Sequence, residues 1–269
     1  MKVYRNTKEM TKKEAIGRRF SLTGLLILMV GMLASFIPSW YPPGTPAPNA
    51  IVAFLQQYWA LASFIALPAG FLAASVGSYF INRFARRRWP GSKTAARPDE
   101  LLERSMKGFD DKYAYFVHSL PAMYVVAGPC GILLFALRSD RTQVTVQGDR
   151  WREKFSVGRF FTVFAREGLG NPPRDLADQA VKIKALLESA NGKSDEAGAT
   201  ALADVPIDGA AVFLNDATQL DVDGPNVPVL RPDQVKEFVR RKARDVKLSN
   251  QTIRLLHEFL RENSTHQEA

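Results

Sequence analysis

The stretch FSLTGLLILMVGMLASFI, residues 20–37, is apolar throughout, and IVAFLQQYWALASFIALPAGFLAASVGSYFIN, residues 51–82, follows it closely. From Phe20 to Asn82 there is no Asp, Glu, Lys, Arg or His, an uncharged run of 63 residues. A water-soluble domain does not leave so long a segment without charge. The first stretch has 18 residues, about 27 Å as a helix at ~1.5 Å per residue, close to the ~30 Å of a hydrocarbon core. The second is longer than a span needs, so Gln56, Gln57, Tyr58 and Trp59 are expected in the interface, and Pro68 is expected to bend the helix. Between them PSWYPPGTPAPN, residues 38–49, carries five prolines and predicts an exposed loop.

Working outward, both flanks are basic. Lys2, Arg5, Lys8, Lys12, Lys13, Arg18 and Arg19 precede the first span; Arg83, Arg86, Arg87, Arg88, Lys93 and Arg97 follow the second. Positive flanks stay on the cytoplasmic side. The expectation is therefore a hairpin spanning a cytoplasmic (inner) membrane, with both termini inside and the Pro-rich loop outside. Arg83, Arg86, Arg87 and Arg88 are expected at the membrane surface, where each basic residue near anionic headgroups contributes about 1 kcal/mol. A cleaved signal peptide has a shorter apolar core, and no second span would follow it.

Composition supports that division. The chain of 269 residues has a formal charge of +9. Residues 1–97 hold 13 Lys/Arg and 2 Asp/Glu, or +11, which leaves 23 and 25, or −2, for residues 98–269. The basic character belongs to the membrane flanks, which argues against a basic nucleic-acid-binding fold downstream. One cysteine, Cys130, excludes an intrachain disulfide, and His118, His257 and His266 are too scattered for a histidine cluster. No haem, flavin, nucleotide or metal motif is legible, and no cofactor is expected.

The organisation predicted is a basic N-terminal segment (1–19), the hairpin (20–82), a basic linker (83–98) and a soluble domain (99–269). In the last, Pro98 opens a helix with Asp99 and Glu100 in its first turn. Leu101, Leu102, Met106 and Phe109 continue its spacing, then Tyr113, Phe116 and Val117, with His118 at its end. MYVVA (123–127) and ILLFAL (132–137) read as strands around a Gly128-Pro129-Cys130-Gly131 turn. Strands are expected at 143–147, near Trp151, at 206–214 and, with Pro228 confining it to an edge, at 227–230. Helices are expected at about 174–190, 232–243 and 249–262, and a loop at 191–200. This order predicts an α/β domain with a mixed central sheet flanked by helices.

YVVAGPCGILLFALR, residues 124–138, resembles the signature hairpin of the nuclease-related domain (NERD) family. Asn171-Pro172 opening a helix, AAVFL (210–214) followed by Val227-Pro228-Val229, and the acidic helix at Asp99–Glu103 are similar to that family too. The resemblance covers about residues 98–243 and implies a restriction-endonuclease-like fold. In that family an Asp on the first strand, then an acid and a Lys on the second, hold Mg²⁺ and activate water. Here those positions are Met123, Ala136 and Arg138. A thioether is a poor ligand for Mg²⁺, a methyl group is none, and an arginine is always protonated. The resemblance thus implies the fold without the activity. Asp140, Glu100 and Glu103 are the remaining candidates for a carboxylate supplied from elsewhere.

Three functions follow. The first is a membrane-tethered, non-catalytic accessory or interaction subunit. Its partners would be the lipid bilayer and either another protein or a second copy, packed through small residues such as Gly70, Ala74 and Ser78. The second is a divergent Mg²⁺-dependent nuclease, and the third a nucleic-acid-binding scaffold.

Overall fold

The apolar run forms two long helices. In the computed structural model, which describes residues 1–42, 44–86, 96–139, 143–154, 169–192 and 196–265, α1 runs from Thr7 to Trp40 and α2 from Ala50 to Phe84. Both are long and apolar enough to cross a membrane, and only 28% and 22% of their most apolar windows are buried. Phe20, Leu25, Leu26, Val30, Phe64 and Ile65 point outward; a hairpin forming the core of a soluble protein would cover them. α1 passes through Pro38 without ending, so the loop begins after Trp40 rather than at residue 38. Asn49 caps α2, its side chain accepting from the Val52 amide at 2.9 Å. Pro68, where a bend is expected, lies inside α2, and the residue with non-helical dihedrals in that helix is Tyr58 (φ −117°, ψ 15°).

The two helices meet through small residues. Gly17, Gly24 and Gly31 on α1, and Ser63, Gly70 and Gly77 on α2, recur every seven positions, the period that keeps one seam facing a partner helix. A Cβ on Gly24 would lie 2.3 Å from the Ala74 nitrogen, and one on Gly77 2.3 Å from the Ser21 nitrogen. These antiparallel backbones touch because no side chain stands between them. Ser63 Oγ donates to Gly31 O at 3.1 Å across the seam. Gly70 and Ala74, expected to serve a second chain, face the chain's own first helix.

The remaining described residues form a second compact unit that also includes Met1–Met10. Its first strand, β1 (Lys2–Arg5), lies in the segment expected to be only a basic flank. There follow α3 (Pro98–Ser105), β2 (Ala114–Val117), β3 (Tyr124–Gly128), β4 (Gly131–Arg138), β5 (Gln143–Gln147) and β6 (Arg150–Glu153). α4 (Pro172–Glu188), a 3₁₀ turn at Ser189–Gly192, α5 (Glu196–Ala203), β7 (Ile207–Phe213), β8 (Gln219–Asp223), β9 (Val229–Leu230), α6 (Pro232–Val246) and α7 (Asn250–Glu262) complete it. The main sheet is mixed, in the order β1-β2-β3-β4-β7-β9; a smaller sheet is ordered β6-β5-β8.

The strand residues explain these pairings. β3 and β4 close as a hairpin with Gly128 opposite Gly131. Gly131 has φ +77°, and a Cβ there would lie 2.5 Å from Pro206 O, so this turn requires glycine. β4 is buried along its whole length and pairs in parallel with β7, from Ile132 opposite Ile207 to Arg138 opposite Phe213. One face of the sheet, with Ala127, Ile132, Leu134 and Ala136, packs under Leu176 and Ile183 of α4 and Leu256 and Leu260 of α7.

Several expected elements differ. The first helix stops at Ser105, because the chain turns at Gly108, whose φ is +94°. Residues 114–117, read as its continuation, are a strand buried at every position. An unbroken apolar run is what a strand between two neighbours looks like. His118 therefore follows a strand, with φ 51°. The loop expected at 191–200 contains the start of α5, and β8 was not foreseen.

Candidate functional site

The β3–β4 register places Val125 opposite Leu134. Met123 directly precedes β3, while Ala136 and Arg138 lie near the end of β4. Side chains two apart in a strand share a face, so Ala136 and Arg138 lie on one side of β4, and the Met123 amide and the Arg138 guanidinium each reach a residue of α4. Met123 is 46% exposed, and its amide donates to Gln179 Oε1 of α4 at 3.0 Å. Ala136 is buried in the core.

Arg138, the last residue of β4, has its guanidinium engaged by its neighbours. Its Nε donates to Leu169 O at 2.8 Å, Nη1 to Leu137 O at 3.1 Å and Nη2 to Asp175 Oδ2 at 2.7 Å. The α4 N-terminus provides that partner. Asn171 caps the helix by accepting from the Arg174 amide at 3.2 Å, Pro172 starts it, and Asp175 lies in the first turn, where the helix dipole favours a carboxylate. Gly170, with φ +60°, passes so close that a Cβ would be 3.3 Å from Nη2. Asp175 was not singled out from the sequence. The available signal was an acid three positions after Pro172, a common helix-start pattern that does not reveal its partner.

The other candidate acids do not reach this end. Glu103 pairs with Arg5, and Glu100 pairs with Arg97 at 3.3 Å. Both sit on α3, near Tyr115, whose register partners Val126 and Leu133 face the opposite side of the sheet from Ala136 and Arg138. Burial works against the charge of Arg5, yet Glu103 and Asp99 outweigh it and its pKa is raised. Asp140 lies outside the described residues. No group of three or more His, Cys, Asp or Glu among the described residues is placed to hold a metal ion. Met123, Ala136 and Arg138 with its single carboxylate do not fit Mg²⁺, whose sites need several hard oxygens.

The thiol and two of the imidazoles are held by packing. Cys130 is buried, and burial pushes its pKa up to about 12, so it stays a thiol and a poor nucleophile. His118 stacks edge-on against Tyr124, ring centroids 5.1 Å apart. His257 lies 3.2 Å from Ala127 O, and burial lowers its pKa. Of the basic positions expected at the membrane surface, Arg83 is in the last turn of α2 and Arg86 just follows it; Arg87 and Arg88 lie outside the described residues. Nearby, Lys13 sits over the Phe84 ring at 5.2 Å, and Arg18 pairs with Glu14 at 2.8 Å.

Compared with known proteins, the chain matches no family model, no curated protein and no solved structure.

Proposed function

We propose that this chain is a membrane-tethered, non-catalytic module. Its hairpin spans a cytoplasmic membrane, and its sheet unit, a degenerate NERD-like domain of restriction-endonuclease-like fold, serves as an accessory or interaction subunit on the cytoplasmic side. The observation that carries this reading is Arg138. A guanidinium committed to Leu169 O, Leu137 O and Asp175 stands where the resembling family needs a catalytic lysine, beside a methyl group where it needs an acid. The outward apolar faces of α1 and α2 support lipid contact. The Gly128-Pro129 turn and the Asn171 cap on α4 support the family resemblance. Because the glycine seam is used within the hairpin, a protein partner in the membrane would meet the larger apolar side chains.

Gentle extraction from native membranes tests the assignment. The account expects migration above the monomer with a co-purifying protein, and labelling of Thr45→Cys but not Thr265→Cys by an impermeant maleimide added to intact cells. A lone monomer from native membranes would remove the subunit reading. External labelling at residue 265 would reverse the orientation.

A further inference from the structure

Outside the site just described, the small sheet leaves two unlike edges open. Its order β6-β5-β8 puts β6 at one edge and β8 at the other, and among the described residues neither pairs with a further strand. Side chains directly opposite each other in a sheet share a face. Arg150, Gln147 and Asp223 therefore form one row across the sheet, and Arg152, Thr145 and Asp221 form a second row on the same face. The four charged residues of these rows are exposed. Between the rows, on the other face, lie Trp151, Val146 and Val222. Val222 is 41% exposed at one edge, and Trp151, at the other, stacks near Phe213 with ring centroids 6.4 Å apart.

The strand directions complete the match. β6 runs antiparallel to β5 and β8 parallel to it, so β6 of a second copy, shifted along the sheet, meets β8 in the antiparallel sense. In that register Asp223 faces Arg150 of the second copy, Asp221 faces its Arg152, and Val222 faces its Trp151. The next row sets Leu220 beside the stem of Glu153. Opposite charges directly across a strand pair are favourable and like charges unfavourable. Two-fold pairing of β8 with β8 sets Asp221 against Asp223, and two-fold pairing of β6 with β6 sets Arg150 against Arg152. Each charged edge thus repels its own kind, while the unlike edges accept each other.

We propose that β8 of one chain pairs with β6 of the next, so that copies of this chain assemble head to tail through a continued small sheet. The contact is heterologous: a joined pair still presents one free β6 and one free β8, and growth passes beyond the dimer. Main-chain hydrogen bonds join the edges, and the two charge rows fix partner and register. A contact this short is weak alone. It rests on the membrane tether proposed above, which keeps copies on one surface at high effective concentration; the reading of the Arg138 end plays no part in it.

Disulfide trapping in native membranes reads this directly, on the full chain carrying Cys130→Ser, Arg150→Cys and Asp223→Cys. Within one chain positions 150 and 223 are two strand spacings apart, about 10 Å and beyond the ~7 Å reach of a disulfide, so bridges form only between copies. Oxidation should give a ladder of dimer, trimer and higher species, and either cysteine alone should give none. Adding Arg152→Asp or Asp221→Arg should weaken the ladder about tenfold by setting like charges face to face. Both reversals together should restore it, because opposite charges meet again. No ladder from a chain that stays in the membrane, or a ladder indifferent to the single reversals, would overturn the pairing, even where another protein co-purifies and the subunit reading stands. A chain that washes off the membrane yet still forms the charge-dependent ladder would remove the tether and keep the pairing.

Discussion

Gly77→Leu is expected to separate α1 from α2. A Cβ at this position already lies 2.3 Å from the Ser21 nitrogen and 2.7 Å from Gly17 O, so the clash is with backbone, which cannot rotate away. Ordinary carbon contacts begin beyond about 3.5 Å, and the helices must move apart by more than 1 Å before the rest of a leucine is accommodated. Overpacking of this kind costs about 3 kcal/mol or more, at the upper end of its usual range. It also breaks the close contact on which glycine-mediated helix pairs depend. The measurement is cross-linking by a short bis-maleimide between Lys13→Cys and Phe84→Cys, whose native side chains meet across the pair, in a Cys130→Ser background. Linkage should be efficient in the parent, fall several-fold in Gly77→Ala and disappear in Gly77→Leu. Val76→Leu, at an outward position, should leave it unchanged. Equal linkage in all four would show that the seam does not hold the hairpin together.

The second large effect is expected at Arg138. Replacement by methionine keeps much of the volume but strands Leu169 O and separates Asp175 from its cation. Hydrogen bonds to charged groups contribute about 1.5–3 kcal/mol, and breaking a buried pair costs more than a surface one. Asp175 is 47% exposed and is partly rescued by water, so about 2–3 kcal/mol is expected for Arg138→Met and less for Asp175→Asn. For a unit of this size that lowers the thermal midpoint by about 5–10 °C, readable through Trp151, which stacks near Phe213. Arg138→Lys keeps the charge, loses the fork and should fall between. A residue retained for chemistry rather than structure would show no such loss.

These two positions also show what a sequence reveals and what it hides. The hairpin was legible because a bilayer imposes length and the exclusion of charge together, and chance rarely satisfies both over residues 20–82. The seven-residue spacing of Gly17, Gly24 and Gly31 does not reveal that Ser63, Gly70 and Gly77 on α2 answer it, and the four-residue pattern of Gly70, Ala74 and Ser78 points to a partner chain instead. In the sheet unit, β4 and β7 were readable as apolar runs bounded by turns. β1 and β8 were not, since KVYR and QLDVD are short, charged edge strands, stabilised by neighbours far away in sequence. α3 was overextended because Tyr113, Phe116 and Val117 keep helical spacing by coincidence after Gly108. At the candidate site, the shared face of Ala136 and Arg138 followed from strand periodicity. The partner of Arg138 did not, because pairing with Asp175, 37 residues away, depends on where α4 docks.

The central claim is that the end of the sheet around Arg138 holds no divalent cation and performs no metal-dependent cleavage. Manganese EPR on the full chain in nanodiscs tests it most directly. The account predicts that the free-ion signal is undiminished through millimolar Mn²⁺ and that DNA and RNA stay intact. A stoichiometric loss of that signal, reversed by Mg²⁺, abolished in Asp175→Asn or Asp140→Ala and accompanied by nucleic-acid cleavage, would contradict it.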